Sequence, residues 1–181
     1  MKIKVLRIVA RLNVGGPAAH VIILNEGLNA GRFDSRLITG RPEKDEGDMT
    51  PVARDKGISV ITIPEFGRQI RPWHDLVTLF KLLRIMHREK PDIVHTHTAK
   101  AGALGRVAAI LSGVPVRVHS FHGNIFSGYF GKARTGFFIF AERLLAAFTD
   151  RIIVVSETQR REICYSHMIA LPSKCSVVKL G

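Results

Sequence analysis

Four histidines stand at the ends of two strand-like runs, Val94-His95-Thr96-His97-Thr98 and Val118-His119-Ser120-Phe121-His122-Gly123. Imidazole can ligate a metal, move a proton or hydrogen-bond a ligand near neutral pH. Alternation sorts the four. In an extended strand His95 and His97 share a face, whereas His119 and His122, three residues apart, do not. No Asp or Glu pair lies close enough in sequence to complete a ligand set, so no metal site is expected. His95 and His119 are expected to be strand residues satisfied by local partners. His97, His122 and the adjoining Gly123 lie nearer the loops and are the candidates for lining a ligand cleft. Lys100, just past His97, offers either a cation for an anionic ligand or a solvated lysine at a helix start.

A second constellation follows the first apolar run, in Arg11-Leu12-Asn13-Val14-Gly15-Gly16-Pro17. Gly15 and Gly16 allow close backbone approach, and proline suits the first position of a helix. The free N–H groups of a helix start bind anions, so a phosphate fits over Gly16. The dipeptide by itself leans toward a plain strand–helix turn with no ligand. There is no Gly-x-Gly-x-x-Gly and no Gly-Lys-Ser/Thr phosphate loop, which argues against a dinucleotide enzyme or a nucleotidase. Ser156 followed by Gln159 matches a capping box and reads as a helix cap rather than a nucleophile.

Charge and aromatic residues mark a third region. In Trp73–Arg88, Lys81, Arg84 and Arg88 recur at helical spacing and form a basic stripe, with Arg68 and Arg71 just before it. Eight of the thirteen aromatic residues fall between Phe121 and Phe148. Basic and apolar side chains together suit docking on an anionic membrane surface, with Arg68, Arg71, Lys81 and Arg84 facing it. The competing reading, which the composition favours, is that these Phe residues are core faces of helices on a sheet.

The elements that must position these residues alternate along the chain. Lys2–Val9, Ser35–Thr39, Ile58–Ile63, Asp92–His97, Pro115–Ser120, Arg151–Val155 and Ser176–Leu180 read as strands. Pro17–Ala30, Thr50–Lys56, Trp73–Arg88, Ala101–Leu111, Lys132–Phe148 and Glu157–Met168 carry helical patterns. Such alternation predicts an α/β fold, a Rossmann-like parallel sheet with helices on both faces, and ligands bind such sheets at the carboxyl ends of the strands. The chain has 181 residues, one domain's worth, and stops at Gly181 directly after a strand, so a continuation is expected.

Composition bounds the partners. At 46% apolar and 23% charged residues the chain is globular. Its net charge of +12 favours anionic partners. No apolar run reaches the length of a spanning helix, and the amino terminus lacks a signal-peptide core. Two cysteines, Cys164 and Cys175, are too few for a disulfide framework, which fits a cytoplasmic setting. No nucleic-acid-binding signature accompanies the charge.

Taken in order, several segments resemble the amino-terminal half of glycosyltransferase family 4, the retaining GT-B enzymes. They are Gly15-Gly16-Pro17-Ala18-Ala19-His20-Val21, Pro91-Asp92-Ile93-Val94-His95-Thr96-His97, and Ala101-Gly102-Ala103-Leu104-Gly105-Arg106 with Gly113-Val114-Pro115-Val116. His119-Ser120-Phe121-His122-Gly123 and Asp150-Arg151-Ile152-Ile153-Val154-Val155-Ser156-Glu157 complete the set. Phe-His-Gly followed by Phe-Ser-Gly-Tyr-Phe is similar to bacterial enzymes that build surface polysaccharides. The resemblance implies that residues 1–181 form the acceptor-side domain of a two-domain GT-B transferase, with the carboxyl-terminal donor-binding domain absent. It implies a nucleotide-sugar donor and a glycan or lipid-linked acceptor, with Gly15 and Gly16 approaching the donor diphosphate and His122 at the reacting sugar. No cofactor or metal is implied. The family's Glu pair, seven residues apart, belongs to the other half and has no counterpart here. Two rivals stay open: half of a GT-B sugar-nucleotide epimerase, and a non-catalytic module that binds anionic lipid or a partner chain.

Overall fold

The computed structural model describes residues 2–28, 31–43, 45–123 and 132–179. Seven strands form one sheet: β1 (Ile3–Arg11), β2 (Phe33–Gly40), β3 (Ser59–Thr62), β4 (Ile93–His97), β5 (Val116–Ser120), β6 (Arg151–Val154) and β7 (Cys175–Val177). Their order is β3-β2-β1-β4-β5-β6-β7 and every pairing is parallel. Between them run α1 (Gly16–Leu28), α2 (Thr50–Asp55), α3 (Pro72–Glu89), α4 (Ala99–Leu111), α5 (Lys132–Ala147) and α6 (Glu157–Arg161).

This is the α/β arrangement expected, and its strand order has a consequence. The chain moves one way from β1 to β3, then returns to the other side of β1 for β4. Right-handed crossovers therefore place α1 and α2 on one face and α3, α4 and α5 on the other. The cores follow suit. Val9, Leu12 and Leu37 pack with Val21 and Ile22 of α1, while Leu6, Ile8 and Val94 pack with Leu82, Met86, Ala101 and Ala108 of α3 and α4. The reversal between β1 and β4 is the switch point, where loops diverge and leave a crevice.

Two glycines of α4 let that helix press onto the sheet. A Cβ at Gly102 would lie 2.4 Å from the His119 ring, and one at Gly105 2.6 Å from the Thr96 methyl. One turn further, Arg106 is buried, its Nε donating to the Gly102 carbonyl at 2.8 Å and its Nη2 meeting Glu142 of α5 at 2.6 Å. Breaking such a pair strands a charge away from water, so Glu142→Ala is expected to cost about 3–5 kcal/mol. Urea unfolding measures this, and a loss below about 1 kcal/mol would mean the guanidinium finds water or another partner.

Two local expectations change. The helix foreseen over Glu157–Met168 stops being α-helical at Arg161. A π-type turn spans Glu162–Ser166, closed by the His167 N–H on the Glu162 carbonyl at 2.9 Å, and Met168 turns left-handed at φ 47°. Ser156 caps α6 as expected, its Oγ accepting the Gln159 N–H at 3.1 Å. The reading of the Phe-rich segment as core holds only in part. Phe121 is fully buried and Phe138 packs against the core, but Phe137, Phe140 and Phe148 are more than half exposed. Helix α5 carries apolar residues on both sides, so periodicity alone did not show which stripe the sheet covers. Phe126, Tyr129 and Phe130 lie outside the described residues.

Candidate active site at the sheet switch point

The carboxyl ends of β1 and β4 flank the switch point, and both sequence constellations meet there. In register, Arg7 pairs with His95, Val9 with His97, and His97 with Ser120. Alternation then points Arg7, Val9, His95 and His97 toward α1 and leaves Thr96 and His119 toward α4. His119 packs against Gly102 and bonds Thr96 Oγ1 at 2.8 Å, so it is a strand residue with a local partner, as expected.

On the α1 side, Arg7 is 1% exposed, and among the described residues no carboxylate pairs with it. Its Nη1 donates to His95 Nδ1 at 2.9 Å. A guanidinium can only donate, so the His95 proton sits on Nε2, which meets Ser120 Oγ at 2.8 Å. The His95 ring lies 4.2 Å from that of His97, centroid to centroid. His97 Nδ1 in turn lies 2.9 Å from His122 Nε2. His20, from the second turn of α1, completes the group with its ring 5.4 Å from His122 and 6.3 Å from His97.

Burial is the leading cause of the electrostatics here. It pushes His95, His97 and His119 well below the ordinary imidazole value, with like charge from neighbouring rings and arginines adding to it. It also lowers His20, with Arg7 second, and brings His122 down to about 4, with His20 second. These rings are neutral at pH 7, each able to donate one hydrogen bond and accept another. Arg7 itself falls to about 10 through desolvation and stays charged.

Ring nitrogens of His20, His97 and His122 lie within 4.8 Å of one another, close enough to hold a transition metal. Metal-bound imidazoles almost always donate their second nitrogen to a carboxylate or carbonyl. Here the second nitrogens, His20 Nδ1, His97 Nε2 and His122 Nδ1, have no hydrogen-bond partner among the described residues, and the His97–His122 hydrogen bond accounts for that contact. The arrangement fits a hydrogen-bonding surface better than a metal centre.

The other expected residues are placed as follows. A Cβ at Gly16 would meet nothing within 4 Å, so the fold does not demand glycine there, although the helix begins at that residue. Gly15 is similarly open, with Asn13 Nδ2 3.8 Å from such an atom. Gly123 follows His122 with a left-handed φ of 92°, and its carbonyl accepts from Gln159 Nε2 at 2.6 Å. Lys100 is neither solvated nor free: its ammonium pairs with Asp75 at 2.6 Å and bonds the Gln69 carbonyl, fixing α3 to the start of α4. Arg68, Arg71 and Arg84 are exposed, while Lys81 pairs with Glu65 at 2.6 Å. A surface concavity of about 550 Å³ at the end of β2, lined by residues including Gly40, Arg41 and Arg54, does not include the histidines.

Two members of the group, His20 and Arg7, were not singled out from the sequence. His20 stands four residues after Gly16, one helical turn, and so had to share its side of α1. Arg7 interrupts the apolar run of β1 at an inward position, where a charge without purpose is costly.

The chain is 35% identical over 150 residues to a UDP-Gal:alpha-D-GlcNAc-diphosphoundecaprenol alpha-1,3-galactosyltransferase of Escherichia coli, covering 83% of this chain and 37% of that one. A glycosyltransferase of Rickettsia africae superposes with a TM-score of 0.71 at 15% identity, covering 99% of this chain and 43% of that one. A putative UDP-N-acetylglucosamine 2-epimerase of Listeria monocytogenes superposes with a TM-score of 0.70 at 16% identity, over 98% and 45%. The chain thus spans less than half the length of each. The glycosyl transferase 4-like domain model matches residues 15–168, from the open glycine turn through the histidine pair to the end of the π-turn, and the chain belongs to that family.

Proposed function

We propose that this chain is the amino-terminal, acceptor-side half of a retaining glycosyltransferase. It moves a sugar from a nucleotide-sugar donor to a glycan or lipid-linked acceptor in bacterial surface-polysaccharide assembly. Its setting is the cytoplasm, with peripheral attachment to the inner face of the plasma membrane. The observation that carries this is the open helix start at Gly16 beside a neutral His97–His122 pair, in a chain whose family match begins at Gly15. The E. coli relative's printed acceptor is a lipid diphosphate sugar, which supports a lipid-linked acceptor here.

The roles follow from the geometry. Backbone N–H groups at Gly15–Gly16 approach the donor diphosphate, where the helix start favours negative charge. His122, neutral at pH 7, positions hydroxyls of the reacting sugar by hydrogen bonding rather than by carrying a proton as imidazolium. His97 holds the His122 ring, and Gly123 keeps the strand end low enough for a sugar to lie over it. Lys100 contributes by fixing α3. A carboxyl-terminal half supplies the donor's base and ribose site and the Glu pair. Half of a sugar-nucleotide epimerase is the weaker reading, because the epimerase likeness is one of fold at 16% identity whereas the 35% relative is a transferase.

Gly16→Val, made in a protein that carries both halves, tests the donor role. The open space at Gly16 predicts an intact fold. Donor kcat/KM is expected to fall by about tenfold or more, because the branched side chain covers the N–H groups. Unchanged donor kinetics would remove the phosphate role from this turn.

A further inference from the structure

The turn between β1 and α1 does not stand alone. The Ala19 N–H donates to the Gly15 carbonyl at 3.1 Å, which makes Gly15 the cap of α1. Pro17 has no N–H, so Gly15, Gly16 and Ala18 are the donors of this helix start. With so few donors, the height and tilt of the turn decide how many of them reach one anion. That height is set from outside the turn, by the segment joining β2 to α2. The Val14 N–H donates to the Glu46 carbonyl at 3.2 Å, and the Met49 N–H to the Leu12 carbonyl at 2.8 Å.

Glu46 is the centre of these contacts. Its Oε1 meets Arg11 Nη2 at 3.0 Å and its Oε2 accepts the Glu43 N–H at 3.1 Å, while its own carbonyl holds Val14. Arg11 closes the circuit, donating from Nε to Asn13 Oδ1 at 3.2 Å. Each side chain of the ion pair is only 16% exposed, so the pair is shielded from the solvent that weakens surface ion pairs. Next to it Gly47 holds a left-handed φ of 69°, and a Cβ there would lie 2.8 Å from Val14 Cγ2. We propose that Glu46, braced by Arg11, is a positioning residue that fixes the Gly15–Gly16 turn at the height where its N–H groups meet the donor diphosphate. This role rests on the phosphate reading of that turn given above.

Charge and position make opposite demands here, which separates a positioning role from a plain electrostatic one. A carboxylate near an anion site repels the anion, so on charge alone its removal strengthens binding. Because Glu46 acts by holding the turn, its removal weakens binding in spite of the charge. Glutamine keeps the shape of the side chain but presents a donor where the second oxygen stood, so it cannot serve both Arg11 and the Glu43 N–H. Neither Glu46 nor Arg11 belongs to a packed apolar cluster, so substitutions there leave the core intact.

The isotope-labelled chain, titrated with inorganic pyrophosphate at constant ionic strength and followed by amide NMR, tests this apart from any transfer reaction. Pyrophosphate is expected to shift the Gly15, Gly16 and Ala18 amides of the parent chain. Glu46→Gln and Arg11→Met are each expected to weaken that binding about tenfold, and to speed hydrogen exchange at the Val14 amide about tenfold. The double variant should bind within about twofold of Arg11→Met alone, because the two side chains act as one unit. Arg11→Lys, which keeps the ion pair but loses the bond to Asn13, should fall between the parent and Arg11→Met. Glu46→Gln that binds as tightly as the parent or tighter, or that leaves Val14 exchange unchanged, would overturn the proposal. A parent chain whose turn amides do not shift would overturn the phosphate reading itself, and this role with it. The two failures are distinct, since in the first the parent still binds pyrophosphate.

Discussion

Between pH 6.5 and pH 5 the folded chain is expected to lose several kcal/mol of its stability. His95, His97 and His119 are buried, and burial holds their pKa values well below the ordinary one. In the unfolded chain they titrate near 6.5. Below that pH the unfolded state takes up protons that the fold excludes, so the equilibrium moves toward unfolding as pH falls. The stabilisation is fully present above about 6.5 and disappears on the way down to the folded-state values. A ring wholly excluded from protonation loses up to about 1.4 kcal/mol per pH unit, and three such rings up to about 4 kcal/mol. A domain of this size has roughly 5–15 kcal/mol to lose. His20 and His122 act in the same direction, but they are partly exposed and solvent screening shrinks their share. Urea midpoints at pH 7, 6 and 5 measure the effect. His119→Asn, whose amide can replace Nδ1 on Thr96, should reduce the proton uptake on unfolding by about one. A midpoint that stays level to pH 5 would show that the rings protonate inside the fold.

The alternation of apolar runs and helical patterns was enough to place all seven strands and to predict a parallel sheet. Buried parallel strands are read from their own composition, with no knowledge of their neighbours. Strand alternation also put His95 and His97 on one face and set His119 apart from His122, because the period of two is fixed by the backbone. What the sequence hid was tertiary. His20 joins the site from α1, and only the position of that helix over β1 and β4 shows that its ring reaches His122. The Phe residues of α5 were legible as helical but not as outward, because a helix with two apolar stripes does not say which one the sheet takes. Lys100 reads from sequence as either a cation for a ligand or a solvated lysine, and its pairing with Asp75, twenty-five residues earlier, is a tertiary contact that neither reading contains.

Transfer of sugar is expected to be absent in this chain alone and restored when a carboxyl-terminal half is supplied. The chain's layered fold and three packed clusters are those of a unit that folds by itself. Its site, however, is one wall. In the proposed reading Gly15–Gly16 meet a diphosphate and His122 a sugar, but fixing donor and acceptor together in reacting geometry is where much of the barrier reduction arises. A fusion of this chain to the part of the E. coli galactosyltransferase that it does not cover provides the second wall. Incubation of each protein with UDP-sugars and a lipid diphosphate sugar, read by mass spectrometry, gives the comparison. Turnover by the single chain would overturn the half-enzyme reading. In the active fusion, His122→Ala removes a hydrogen bond that we propose lies next to the reacting centre, and kcat/KM is expected to fall about 10- to 100-fold. His97→Ala should act in the same direction, because it releases the His122 ring from its 2.9 Å partner. Its effect should fall on kcat more than on KM if the ring's orientation matters chiefly in the transition state. A change within about twofold for His122→Ala, worth only about 0.4 kcal/mol, would place the reacting sugar elsewhere along the edge.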